Sequence, residues 1–294
     1  MRPRLRRLFL PACILLFASA CGPSVPEPEA EAPPPDGPRI VTLAPHLAEI
    51  VFAVGAGDRL VGVSSYTNHP PEAASLPVVS DAFTVDQERI AMLEPDLLLA
   101  WGGGMPGHVI EELRARGFRV ETIETRGLAD VAAAIERIGA LTGHAEDAQR
   151  VAESFRAGIR ELRERYREAP SIDVFYQVSL EPLYTINGEH YVSELIEACG
   201  GRNVFADLGR LAPMVDVEAV VARNPEVMLA SEDNPPDIFD VWKRWPQMAV
   251  NRYDNYFRLP ADDIGRATPR LVTAGQTLCA VLDQARARRA LIEN

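Results

Sequence analysis

Lysine is almost missing from this chain of 294 residues: Lys243 stands alone among 30 basic residues, which face 42 acidic ones for a formal net charge of −12. That balance excludes nucleic acid as a partner, because an acidic surface repels a phosphate backbone. The chemistry-bearing motifs are missing as well. There is no GxSxG elbow, no glycine loop that cradles phosphate and no His-Glu zinc helix, so hydrolysis and phosphoryl transfer lack a nucleophile or a metal. The five histidines, His46, His69, His108, His144 and His190, show no metal-ligand spacing. The expectation is a protein that is not an enzyme and holds neither a resident cofactor nor a metal.

A long apolar run is also lacking. The stretch from Leu8 to Phe17 is too short to cross a bilayer of about 30 Å, and it follows Arg2, Arg4, Arg6 and Arg7. Residues 1–20 therefore read as an export signal. The small Ala18, Ser19 and Ala20 before Cys21 suggest lipoprotein cleavage with Cys21 as the acylated first residue, the alternative being ordinary secretory cleavage after Ala20. Removing the leader takes away four basic residues and no acidic ones, so the exported chain is more acidic still.

Only four cysteines occur. With Cys13 lost in the leader and Cys21 assigned to lipid, Cys199 and Cys279 remain, and in an oxidising compartment one leftover pair reads as a disulfide; two buried free thiols are the other reading. Residues 21–38, with the run GPSVPEPEAEAPPPDGP, hold too many prolines and too few apolar groups to fold. They form an extended tether that reaches roughly 50 Å from the anchor. About 256 residues remain, enough for two lobes with real cores.

What is present is a repeat. DQERIAMLEPDLLLA at Asp86 to Ala100 returns as DVEAVVARNPEVMLA at Asp216 to Ala230, each a short helix opened by an acid, a turn at Pro95 or Pro225, and an apolar strand. A weaker pair precedes them, HLAEIVFAVGAGDRLVGV from His46 and YVSELIEACGGRNVF from Tyr191. Two pairs in the same order, with a period near half the exported chain, suggest two related lobes with a cleft between them. Glu88 and Glu218 occupy equivalent helix starts, where a carboxylate also favours the helix dipole.

Strand and helix patterns alternate through both halves, which predicts α/β lobes with mostly parallel sheets. Between them Ala148, Val151, Phe155, Ile159, Leu162 and Tyr166 recur every three or four positions, predicting one helix from Glu146 to Ala169 of roughly 36 Å. The divisions read as an N-terminal lobe over 39–143, an interlobe helix over 144–169 and a C-terminal lobe over 170–294. A helical strut of this kind limits the lobes to a few degrees of relative movement.

RIVTLAPHLAEIVFAVG, GVSSYTNHPP, QERIAMLEPDLLLAW, LIEACGGRNVF and RATPRLVTAGQTLCAVL occur in an order that resembles the helical-backbone class III periplasmic binding proteins of ABC importers. GVSSYTNHPP and the two late cysteines are most similar to the cobalamin-binding branch of that family; the other segments are shared with siderophore and haem binders. The resemblance implies a monomer in the periplasm or at the cell surface. It implies a ligand, cobalamin or a related corrinoid, held between the lobes and delivered to a permease dimer with its ATPase subunits, with siderophore or haem as the alternative.

By the same resemblance, Tyr66 lies at the cleft mouth and Trp101 ends a strand beside Gly102 to Gly104. Tyr184, Asp262 and Arg266 fall at cleft positions of the second lobe. Aromatic faces suit a flat macrocycle, although Trp101 equally reads as a core residue, and Asp262 with Arg266 as an internal ion pair of a surface loop. The chain departs from the family at Ala82 and Ala212, where better-known members carry tryptophan; Phe83 and Pro213 are the neighbours left to supply a face. His69 either approaches the metal or caps the turn before Pro70, the second being favoured. The resemblance also implies that Glu88 and Glu218 are the positions that dock on the permease.

Overall fold

The computed structural model describes residues 37–293. The leader, Cys21 and the tether before Gly37 lie outside them.

Two separate parallel sheets carry the fold. In the first, β1 (Ile40–Thr42), β2 (Leu60–Ser64), β3 (Val78–Ser80), β4 (Leu97–Trp101) and β5 (Val120–Ile123) lie in the order β3-β2-β1-β4-β5. Helix α1 (Pro45–Ala53) links β1 to β2, α2 (Gln87–Met92) precedes β4, and α3 (Gly107–Ala115) returns to β5. Leu97 to Ala100 are fully buried, as expected of a strand covered on both faces.

Helix α4 (Leu128–Thr142) then crosses behind the sheet and reverses at Gly143, whose φ of +80° is the left-handed geometry that glycine adopts without strain. Helix α5 (Ala145–Arg165) is the interlobe strut. Its 21 residues span about 32 Å. It stops four residues before the expected end at Ala169. Pro170 keeps Ala169 itself out of the helical region; Arg163 and Arg165 close the last turn where cations favour the dipole.

The second sheet contains β6 (Ile172–Gln177), while β7 (Ser179–Leu180) and β8 (Leu183–Tyr184) form a small antiparallel hairpin beside it. Helix α6 (Tyr191–Ala198) leads to β9 (Gly201–Asn203), α7 (Val217–Arg223) to β10 (Val227–Ser231), and α8 (Ala249–Tyr253) to β11 (Tyr256–Leu259). The order is β11-β10-β6-β9. Helix α9 (Ala261–Ile264) and the long α10 (Leu271–Glu293) finish the chain. Cys199 and Cys279 are disulfide-bonded with their Cα atoms 4.9 Å apart, fastening the end of α6 to α10.

One apolar cluster passes from Leu47 and Ile135 through Phe155 and Ile159 of α5 to Ile172, Leu195 and Leu278. The strut is therefore part of a core shared by both sheets. That packing resists separation of the lobes far more than a solvated linker would.

Candidate functional site

In a parallel sheet the strand order reverses once, and the carboxyl ends of the two strands at that point leave a crevice. Here the reversal falls between β1 and β4 in the first sheet and between β6 and β10 in the second. Both crevices open into one cavity of about 720 Å³. His46 and Trp101, just beyond β1 and at the end of β4, line it from one side; Tyr176, Val178, Ser231 and Asp233, at the ends of β6 and β10, line it from the other.

Tyr66 contributes an exposed ring at the edge of this cavity, 82% accessible. Its φ of +63° is unusual for a residue with a side chain. The strain is held by Arg266, whose guanidinium donates to the Tyr66 carbonyl at 2.8 Å. The same arginine donates to Asn68 Oδ1 at 2.7 Å and to Glu49 Oε1 at 2.6 Å. Asp262 closes the ring of contacts, accepting from Asn68 at 2.8 Å and pairing with Arg266 at 2.8 Å. Asp262 and Arg266 thus form the ion pair read from the sequence, and they also stitch the second lobe to the Tyr66 loop.

Glu49, on α1 and almost wholly buried, also accepts from Arg270 Nε and Nη2 at 3.0 Å each. A carboxylate stripped of water needs such partners, and the two arginines supply three donors. No sequence motif marks this contact. Glu49 is one acid on an apolar helix, and only its burial against the other lobe reveals the contact.

Trp101 is half-buried and stands edge-on to His46, with ring centroids 5.3 Å apart and planes at 84°. Gly102 does not line the cavity; a side chain there would overlap Glu124, and one at Gly104 would overlap the Trp101 ring. These glycines make room for the indole and the loop behind it. Burial, with the charge of Arg266 adding to it, pushes the His46 imidazole down to about 4. His190, at the start of α6 on the opposite wall, is also lowered to about 4 by burial.

The remaining expected residues lie apart. Phe83 is 95% exposed in a turn whose Asp81 accepts the N–H groups of Phe83 and Thr84 at 2.8 and 2.7 Å, and it does not line the cavity. Those two hydrogen bonds hold the Asp81 carboxyl below its ordinary range. Tyr184 is on the hairpin outside the cavity, bridged to Met214. Pro213 is buried, with its carbonyl taken by the Thr185 N–H, so it offers no face; exposed Met214 stands beside it. His69 is exposed and does not line the cavity either. His46, His190, Tyr176 and Tyr191 were not anticipated as cavity residues. Their common signal was position, since each sits at a strand end or helix start facing a reversal of strand order.

Residues 40–244 match the family model described as periplasmic binding protein. The chain belongs to that family. It is 35% identical to the vitamin B12-binding protein of Vibrio cholerae over 272 residues, covering 92% of this chain and 95% of the relative. It is 34% identical to the vitamin B12-binding protein of Yersinia pestis, covering 82% and 85%. The crystal structure of the periplasmic vitamin B12 binding protein BtuF of Vibrio cholerae superposes with a TM-score of 0.76 at 34% identity, covering 85% of this chain and 98% of that one. A periplasmic heme-binding protein, BhuT, has a TM-score of 0.74 at 22% identity, which speaks for a shared fold alone. The described fold, with both of its lobes, therefore has a counterpart in a solved relative.

Proposed function

We propose that this protein captures vitamin B12 or a closely related corrinoid between its lobes outside the cytoplasm and hands it to the permease of an ABC importer. The observation that carries this reading is the shared cavity at two equivalent crevices, rimmed by the exposed Tyr66 ring, in a chain 35% identical to a vitamin B12-binding protein over nearly its whole length. A flat macrocycle is held by burying apolar area against aromatic faces, and hydrogen bonds around its edge set orientation. The cavity offers both kinds of contact: Tyr66 and Trp101 supply rings, and Asn68, Asp262 and Ser231 supply polar atoms. Export through the leader and anchoring at Cys21 belong to the same proposal.

Glu88 and Glu218 support the delivery step. Both are exposed in the first turns of α2 and α7, at equivalent places on the two lobes. Two like carboxylates suit two identical basic sites on a permease dimer. Glu88→Ala and Glu218→Ala are expected to weaken docking and leave ligand affinity unchanged.

The reading is tested by calorimetry with cyanocobalamin, haem and a ferric siderophore in parallel. Stoichiometric binding of cyanocobalamin is expected, and Tyr66→Ala is expected to weaken it by about 1 to 3 kcal/mol. Heat with haem or the siderophore and none with cyanocobalamin would overturn it.

A further inference from the structure

His190 immediately precedes α6 as its N-terminal capping residue, and its imidazole is shared between two tasks. Its Nδ1 lies 3.2 Å from the Val192 N–H and accepts from it, capping the helix. A backbone N–H can only donate, so the lone pair of the neutral ring is on Nδ1 and the proton is on Nε2. The ring packs on Tyr191, with centroids 4.3 Å apart, and lines the cavity opposite His46 and Trp101. An aromatic neighbour and a helix cap fix its position, so it is pre-organised before any ligand arrives.

Resting on the corrinoid reading above, we infer that His190 is a specificity-determining residue that donates one hydrogen bond, from Nε2–H, to an acceptor oxygen on the edge of the bound corrinoid. The fixed tautomer excludes the other use of a cavity imidazole: with its proton on Nε2 and its lone pair committed to Val192, His190 does not ligate the metal of a macrocycle. Burial keeps the ring neutral, so the contact is a dipolar one. It suits uncharged amide carbonyls, such as those of the side chains around a corrin, and it suits equally the phosphodiester oxygen of the nucleotide loop. The two sources share one chemistry and differ in where they sit on the ligand.

The two nitrogens can be separated by substitution. In His190→Asn the side-chain oxygen replaces Nδ1 as the cap, and the donor is cut away. In His190→Gln the amide N–H reaches the place of Nε2, and the cap is lost. For the full-length protein with cyanocobalamin, His190→Asn is expected to melt near the wild type but bind about five- to tenfold more weakly, the cost of one lost neutral hydrogen bond. His190→Gln is expected to melt lower and bind close to the wild type. Should the asparagine variant fail to fold, the glutamine variant decides alone, since glutamine as weak as His190→Ala overturns the assignment.

Wild-type affinity in a folded His190→Asn would leave His190 as a helix cap and nothing more. A shift in the visible bands of bound aquocobalamin that disappears in His190→Asn would show metal ligation and overturn the tautomer argument. Dicyanocobinamide, which lacks the nucleotide loop, locates the acceptor: the same loss of affinity with it assigns the oxygen to a ring amide, and no loss assigns it to the phosphodiester. Failure of the wild type itself to bind cyanocobalamin is a separate result, and it removes the corrinoid reading instead.

Discussion

Asp86 and Asp216 cap α2 and α7 in the same way, accepting the N–H of Arg89 at 2.9 Å and of Ala219 at 2.6 Å. Glu94 and Asn224 both take φ of +46° before their prolines. Asp96 accepts the N–H of Arg39 ahead of β1, and Glu226 accepts that of Asp173 at the start of β6, at 2.8 and 2.9 Å. In these segments the lobes thus repeat down to single hydrogen bonds. They diverge where they meet other parts of the molecule. Glu49 on α1 is buried under two arginines from the second lobe, whereas its counterpart Glu194 on α6 accepts only the Leu128 N–H at 3.2 Å and faces Arg163 at 3.7 Å. Local geometry was kept through the repeat, and long-range contacts were free to differ.

Four experiments probe this contrast between the lobes. The largest effect is expected from the disulfide, which exists in the second lobe alone. Closing a loop over 80 residues constrains the unfolded chain, by up to about 4 kcal/mol in the entropy model. Reduction, or the double change Cys199→Ala with Cys279→Ala, should lower the denaturation midpoint by a corresponding amount in urea titrations. An unchanged midpoint would mean that the packing of α6 on α10 suffices without the bond.

Next come the two sister glutamates. Glu49→Gln leaves Arg266 and Arg270 without their buried partner and is expected to cost about 3 kcal/mol. Glu194→Gln should cost about 1 kcal/mol or less. Burial raises the Glu194 carboxyl above its ordinary range, its contacts offsetting only part of that, so the neutral amide loses little there. Equal losses in chemical denaturation would contradict the asymmetry drawn from the hydrogen bonds.

The paired histidines give a pH dependence. The folded His46 and His190 sit near 4, below the unfolded value near 6.5, so the unfolded chain takes up protons first as the solution is acidified. Their contribution is whole above about pH 6.5, is lost progressively down to about pH 4, and changes no further below that. For His46 alone the loss is about 3 kcal/mol. His46→Leu should flatten the slope of stability against pH in this window, measured by thermal or urea unfolding; an unaltered slope would place the titration elsewhere.

The smallest effect tests the repeat itself. Glutamate in the left-handed region is strained, and asparagine is among the residues that tolerate it best. Glu94→Asn copies the sister position Asn224 and should stabilise by about 0.5 kcal/mol, read as a slight rise in melting temperature. A fall would show that the Glu94 side chain makes a contribution that its counterpart does not.

Much of the fold was legible because its signals are local. Caps, prolines and apolar runs fixed α2, α7, β4 and β10, and the 3.6-residue periodicity marked α5 before its early stop at Arg165. The site was legible in part. Tyr66, Trp101, Asp262 and Arg266 were read as cleft residues through a family resemblance, and the structure brings them to one cavity. Phe83, Gly102, Tyr184 and Pro213 were read the same way and lie outside it. For these positions, one turn of the chain decides between facing the cavity and facing solvent, and sequence neighbours do not record that choice.

The two-lobed plan, the parallel sheets, the helical strut and the cysteine pair follow from the amino-acid order, because strand and helix periods, caps and a repeat act over a few residues at a time. Packing alone brought β1 and β4 to β6 and β10 across one cavity, gave Glu49 two arginines more than 200 residues away in the chain, and set His190 in the cavity wall with its Nδ1 capping α6. Those outcomes depend on burial and on which groups lose water together. Such quantities belong to the packed molecule, since a charge or an imidazole acquires its role from the partners that replace its solvent.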